Sequence, residues 1–192
     1  MLILASGSSI RRKMLEDAGV EFEVMPADID EEAAREGKPD LETIAKGLAE
    51  AKALAVSKSR PGEWVLGSDS VVAVDGVLFS KPKDREEAAQ HLRAFSGKTM
   101  LLTSGVALAR DGEVDWSHFG RAELDVRELS EGFIQSYLDA EWPEVGNTVG
   151  VFRMEGRGVQ LFQSIVGGHF TILGMPLIPV LKRLRRYGLL QS

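Results

Sequence analysis

Apolar residues open the chain without a break. Leu2, Ile3 and Leu4, with Met1 before them, lack the alternation of a half-exposed strand and predict one covered on both faces. A small, hydroxyl-rich loop, Ala5-Ser6-Gly7-Ser8-Ser9, leads into an amphipathic helix from about Arg11 to Ala18, with Gly19 in the C-cap position. Residues 22–25 read as a short strand ended by Pro26, and residues 27–32 as an acidic loop. Asp40 can cap a helix from Leu41 to about Ser57, in which Ile44, Leu48, Ala51 and Ala55 recur at helical spacing. Pro61-Gly62 breaks it. Residues 64–67 then read as a buried strand and residues 71–74 as a further strand segment, before a hairpin signal at Asp75-Gly76.

Asp84 starts a helix that runs to about Phe95 and is closed by Gly97. From Thr99 the pattern changes to long strands: residues 101–108, a hairpin at Asp111-Gly112, and a return strand through residues 122–126. Ser130 caps a short helix carrying Phe133, Ile134 and Tyr137, and residues 161–166 form a strand. Pro176 can occupy the first turn of a last helix with Leu177, Val180, Leu181 and Leu184 on one face. Lys182, Arg183, Arg185 and Arg186 sit near its end as a solvated cluster favoured by the helix dipole. Strands and helices alternate with no internal repeat and no low-complexity linker.

Composition narrows the classes. A chain of 192 residues, 44% hydrophobic and 27% charged, is ordinary for one globular domain. Its net charge of −6 gives no help to duplex nucleic-acid binding, so any anion site must be a local pocket of positive charge. With no cysteine there are neither disulfides nor thiolate metal sites. No apolar run approaches the roughly 20 residues that span a bilayer, and the N-terminus lacks the features of a signal peptide. The cytoplasm is the expected compartment, with neither nucleic acid nor membrane as a partner.

Two apparent motifs fail. Ser96-Gly97-Lys98-Thr99 resembles the tail of a P-loop, but Leu92 stands where its first glycine belongs, and a helix precedes it where a strand should. Gly156-Arg157-Gly158 lacks the third glycine of a dinucleotide fingerprint. His91, His118 and His169 have no metal-ligand spacing and read as surface or packing residues.

Chemistry concentrates elsewhere. A strand, a small-residue loop and a helix start present free N–H groups and a positive dipole end to an anion, and Arg11 and Arg12 add permanent charges whose forks match phosphate. Taken alone, the same stretch is equally a βα turn that happens to carry arginines. In Gly67-Ser68-Asp69-Ser70 a carboxylate follows the end of a buried strand, where open α/β sheets bind ligands. Asp69 could ligate a divalent metal or take a proton from water, or it could bond its own backbone in a turn. Lys81-Pro82 comes shortly after, a lysine that solvent alone would also explain.

The order of these segments is more specific than any one of them. Residues 6–12, then Asp30-Glu31, Lys52, residues 67–70, Lys81-Pro82, residues 95–99, Glu155-Gly156 and Gly174-Met175-Pro176-Leu177 together resemble the Maf family, over essentially the whole chain. That resemblance implies a single elongated α/β domain spanning residues 1–192, with a long mixed β-sheet flanked by helices and a deep central cleft, Maf/ITPase-like, and a homodimer. It implies a nucleoside triphosphate pyrophosphatase that cleaves between the α- and β-phosphates with a divalent metal such as Mg²⁺ or Mn²⁺. Carried over residue by residue, Asp69 is the proton acceptor and Glu31 its acidic partner, the two holding the metal. Lys81 joins them in catalysis, and Ser6, Ser8, Arg11, Arg12 and Lys52 contact phosphate.

Base choice falls to Ile10, Ser70 and Glu155. The family branch acting on dTTP and UTP carries arginine, threonine and glutamine at those places. The branch acting on 7-methyl-GTP carries a non-arginine residue, glutamine and glutamate, which residues 152–162 resemble more closely. A carboxylate suits a purine with N–H donors and, when N7-methylated, a positive charge. Ser70 matches neither branch, and Phe170 stands where many relatives have asparagine. The alternatives are a dTTP/UTP pyrophosphatase and a non-catalytic nucleotide-binding regulator of septum formation.

Overall fold

The computed structural model describes residues 1–35 and 37–191. In chain order the elements are β1 Leu2–Leu4, α1 Ser9–Asp17, β2 Glu23–Val24, α2 Glu31–Arg35, α3 Leu41–Ser57, β3 Trp64–Val74 and β4 Val77–Phe79. They continue with α4 Arg85–Phe95, β5 Thr99–Arg110, β6 Glu113–Val126, α5 Glu131–Glu141, β7 Phe162–Gly167, α6 His169–Ile172 and α7 Leu177–Arg186. Over the described residues the strands make a mixed seven-stranded sheet in the order β2-β1-β3-β5-β6-β7, with β4 beside β3. The class is therefore α/β, as expected.

The chain divides into two compact units, and β3, β5 and β6 each pass from one into the other. The first unit comprises residues 1–70, 103–120 and 168–192. In it β1 runs parallel to both β2 and β3, with Leu2, Ile3 and Leu4 opposite Trp64, Val65 and Leu66. Both faces of β1 are buried, as the unbroken apolar run predicts. Leu2, Leu4 and Leu66 pack with Met14 and Leu15 of α1 and Val180 and Leu184 of α7. Ile3, Ala5 and Val65 pack on the opposite face with Ala49, Ala53 and Val56 of α3. Alternation along β3 therefore sends Gly67 and Asp69 toward α3, and Ser68 and Ser70 toward α1 and the segment before α7.

Helix α3 lies unusually close to the sheet. A Cβ on Gly67 would stand 2.1 Å from the Ala49 carbonyl, and one on Gly105 would stand 2.2 Å from that of Ala45. Ala45, Ala49 and Ala53 recur every four residues and form the small-residue stripe that settles onto these two glycines.

The second unit comprises residues 71–102 and 121–167. Its β3–β4 hairpin turns through Asp75 and Gly76, both at positive φ, as a two-residue hairpin of this kind requires. β6 and β7 pair antiparallel with a bulge near Asp125. α4 begins at the Asp84 cap, which accepts from the Glu87 N–H at 2.8 Å, and buries Ala88, Leu92 and Phe95.

Four local readings change. The segments 64–67 and 71–74 are one strand, because the Ser68 and Ser70 hydroxyls find partners in the Gly105 carbonyl and Arg11 and the ladder has no reason to stop. Asp69 is thus mid-strand, not beyond a strand's end. The acidic loop becomes helical at Glu31, because the Asp30 carboxylate caps it through the Ala33 N–H. Pro176 precedes α7 as its cap residue instead of lying within the first turn. Arg183 is not solvated like its neighbours; it lies over the rings of Trp116 and Tyr187.

Candidate active site

The first unit gathers Ser6, Ser8, Arg11, Glu31, Lys52, Asp69 and Ser70. Ser8 caps α1, its hydroxyl accepting from the Arg11 N–H, and the first turn of the helix holds no acidic residue. The amino end of α1 is therefore open to an anion. Ile10 is half-buried on the same turn.

Charges alternate across the unit. Arg35 Nη2 lies 3.3 Å from Glu31 Oε2, and Glu31 Oε1 lies 2.8 Å from Lys52 Nζ. Lys52 Nζ stands 3.1 Å from Asp69 Oδ2, and Asp69 Oδ1 stands 3.9 Å from Arg11 Nη2. The close seating of α3 on Gly67 is what brings Lys52 to a carboxylate two residues along β3. Asp69 is 9% exposed. Its Oδ1 accepts from the Ser70 N–H at 2.8 Å, whereas Oδ2 is buried without a hydrogen-bond donor. The Lys52 ammonium is close enough to Oδ2 to neutralise it but lies off the hydrogen-bonding angle.

Arg11 is 8% exposed and its fork is engaged by the protein. Nε donates to the Gly174 carbonyl at 2.9 Å, Nη1 to the Ser68 carbonyl at 3.0 Å and the Ser6 hydroxyl at 3.2 Å, and Nη2 to the Ser70 hydroxyl at 3.1 Å. Burial lowers its pKa from the ordinary value, while the charges of Asp69 and Glu31 hold it up. Four of its five N–H groups thus have protein acceptors. Arg11 ties the loop before α1, the middle of β3 and the segment before α7 into one block.

Gly174, at φ +106, presents the carbonyl at the centre of that block. The Ser68 and Ser70 hydroxyls also approach it, at 3.1 and 3.2 Å. Ser104 donates to the Thr171 carbonyl at 2.8 Å, so the Ser70–Ser104 contact of 2.8 Å takes its proton from Ser70. Ser68, Ser104 and Thr171 were not among the sequence candidates. Thr103-Ser104-Gly105, a polar interruption in an otherwise apolar strand, is the signal that marks Ser104.

Arg12 is not part of the cluster. It lies on the exposed side of α1 and pairs with Glu16 at 2.7 Å, a contact of a kind that contributes little. Lys81, exposed beyond β4, and Glu155, exposed in the turn before residues 157–161, belong to the second unit.

Among the described residues no three His, Cys, Asp or Glu side chains gather around one point. Asp69 and Glu31 are two hard-oxygen ligands with a lysine between them, and the undonated Asp69 Oδ2 can take a cation. Such a pair fits a divalent ion of the Mg²⁺ type, which uses one or two carboxylates and completes its shell with water and phosphate oxygens.

The family model described as "Maf-like protein" matches residues 1–187. The chain is 47% identical over 193 residues to a 7-methyl-GTP pyrophosphatase of Rhizobium etli, covering 97% of this chain and 96% of the relative. It is also 47% identical over 191 residues to a nucleoside triphosphate pyrophosphatase of Nitrobacter winogradskyi, covering 98% and 95%. Among solved structures, the Ham1 protein of Staphylococcus aureus is similar at a TM-score of 0.48 and 14% identity, covering 82% of this chain and 88% of that one. Among the described residues no helix is long and apolar enough to cross a membrane.

Proposed function

The chain belongs to the Maf family, and on that premise we propose that it is a nucleoside triphosphate pyrophosphatase acting on 7-methyl-GTP. Water adds to phosphorus at the α–β link, the bond to the bridging oxygen breaks, and a nucleoside monophosphate and pyrophosphate leave. The observation that carries this reading is Asp69: a buried carboxylate with one oxygen fixed by a backbone N–H and the other undonated beside an ammonium. The Asp69 carboxylate is the group that takes the proton of the attacking water. The charge neutralisation that phosphoryl transfer needs comes from Lys52 and the amino end of α1, with Ser6, Ser8, Arg12 and Lys81 as further phosphate contacts. Glu16 releases Arg12 readily, since their exposed pair is weak.

Arg11 is assigned a different task from its expected grip on phosphate. With its donors engaged by Gly174, Ser68, Ser6 and Ser70, it holds Asp69 and the loop in register. A divalent cation, Mg²⁺ or Mn²⁺, held by Asp69 and Glu31, would supply neutralisation of the phosphate oxygens.

Base selection is assigned to Glu155 and Ile10. Ser70 is removed from that set, because its hydroxyl is already engaged by Arg11, Ser104 and Gly174. The same reading carries a homodimer working in the cytoplasm. Pyrophosphate release from 7-methyl-GTP, GTP, UTP and dTTP with Mg²⁺ or Mn²⁺ tests the proposal. The expected outcome is preference for 7-methyl-GTP; no turnover of any of the four would end it.

A further inference from the structure

A buried carboxylate in the second unit has no part in the chemistry described so far. Glu141 closes α5, where the helix dipole disfavours a negative charge, and it is 7% exposed. Its Oε1 accepts from the Arg157 backbone N–H at 3.2 Å. Its Oε2, 3.5 Å from Arg153 Nη2, has no hydrogen-bond donor. Gly156 permits this approach, since a Cβ there would stand 2.9 Å from Oε2.

One helical turn earlier, the Tyr137 hydroxyl donates to the Val151 carbonyl at 3.0 Å. Burial, reinforced by the Glu141 charge, pushes the Tyr137 phenol up, so it stays a donor. Val151 is held at φ +54, a conformation costly for a β-branched residue. Helix α5 therefore fastens the segment 151–157 at both ends, and the exposed Glu155 lies within the fastened stretch.

We propose that Glu141 is a positioning residue for base selection, fixing the turn that carries Glu155. This rests on the assignment of Glu155 above. A carboxylate buried at a helix's negative end, with one oxygen lacking a hydrogen-bond donor, is costly to stability. Its two contacts, on Arg153 and Arg157, bracket Glu155, and a carboxylate that must discriminate between bases has to be held still.

The test measures kcat and KM for 7-methyl-GTP and UTP in Glu141→Ala, Glu141→Gln and Glu155→Gln, and in Glu141→Ala combined with Glu155→Gln. Glu141→Ala is expected to lower the 7-methyl-GTP to UTP ratio of kcat/KM roughly tenfold, through KM for 7-methyl-GTP, with kcat within about twofold. Glu141→Gln keeps an acceptor for the Arg157 N–H and is expected to retain most of the ratio, which also serves if the alanine variant does not fold. In the Glu155→Gln background, Glu141→Ala should change the ratio no further. Equal losses on both substrates, or an additive double variant, would overturn the proposal and leave Glu141 a structural residue. If Glu155→Gln alone leaves the ratio unchanged, the assignment of Glu155 is what fails.

Discussion

Replacing Gly67 with alanine tests whether the seating of α3 sets the geometry of the acid–base pair. The new Cβ would fall 2.1 Å from the Ala49 carbonyl oxygen and 2.7 Å from the Ala53 nitrogen, where ordinary contact begins at 3.4 Å. Both obstacles are backbone, so no rotamer change relieves them, and the helix has to withdraw by about 1.3 Å. Lys52 rides on that turn, and its ammonium would pass from 3.1 Å to more than ~4 Å from Asp69, outside ion-pair range. Overpacking of this kind costs ~3 kcal/mol at the upper end of the usual span. For a chain of this size that lowers Tm by roughly 6–12 °C. Displacing a charge-neutralising group by ~1 Å is expected to cut turnover ~100-fold. Calorimetry and pyrophosphate release, the latter well below the variant's Tm, read the two effects separately. Adding Ala53→Gly should not restore either, because it removes only the Ala53 Cβ at 3.0 Å and leaves the two nearer backbone obstructions in place. A variant with Tm within ~2 °C of the parent and turnover within about twofold would refute the reasoning.

Asp69→Asn should reduce turnover by ~1,000-fold or more while nucleotide binding, read by calorimetric titration, persists; undiminished turnover would remove Asp69 as proton acceptor. Arg11→Lys keeps the charge but loses the fork that serves Gly174, Ser68, Ser6 and Ser70, so urea unfolding should show a loss of about 3 kcal/mol. Unaltered stability would return Arg11 to a purely ligand-facing role. Burial, partly offset by Glu87, holds the His91 imidazole below its ordinary 6.5. As pH falls below that value the unfolded chain takes up a proton that the folded protein refuses, so stability present above it is lost toward the lower folded pKa. His91→Phe, which preserves a ring against Phe79, should flatten the decline that sets in as pH falls below 6.5; an unchanged slope would exclude His91 as its source.

Much of the unit carrying these groups was legible before any coordinates. Leu2–Leu4, the Asp40 cap and the apolar face of α7 are local signals, and local signals survive folding. Residues 64–74 read as two segments in the sequence because Ser68, Asp69 and Ser70 look like a turn to any window a few residues wide. Their partners lie 57, 59, 37 and 106 residues away, at contacts such as Arg11 to Ser68 and Ser70, and Ser68 to Gly105 and Gly174. The engagement of Arg11 by the protein has the same origin. A sequence shows that a guanidinium is available, but not how many carbonyls will surround it. Gly67 and Gly105 were equally opaque, since their purpose emerges only when a stripe of alanines meets them.

The row from Arg35 to Arg11 interleaves three cations with two anions, each a few ångströms from the next. Seen from beyond a Debye length of ~8 Å, such a row nearly vanishes, and a molecule of net charge −6 does nothing to draw a polyanion in. On the proposed reading an arriving nucleotide is not steered from afar; it meets Lys52 only at contact, with the ammonium still beside Asp69. Recognition of this sort is exercised at touching distance, and added salt should raise encounter rates, not lower them, by screening the repulsion between two anions.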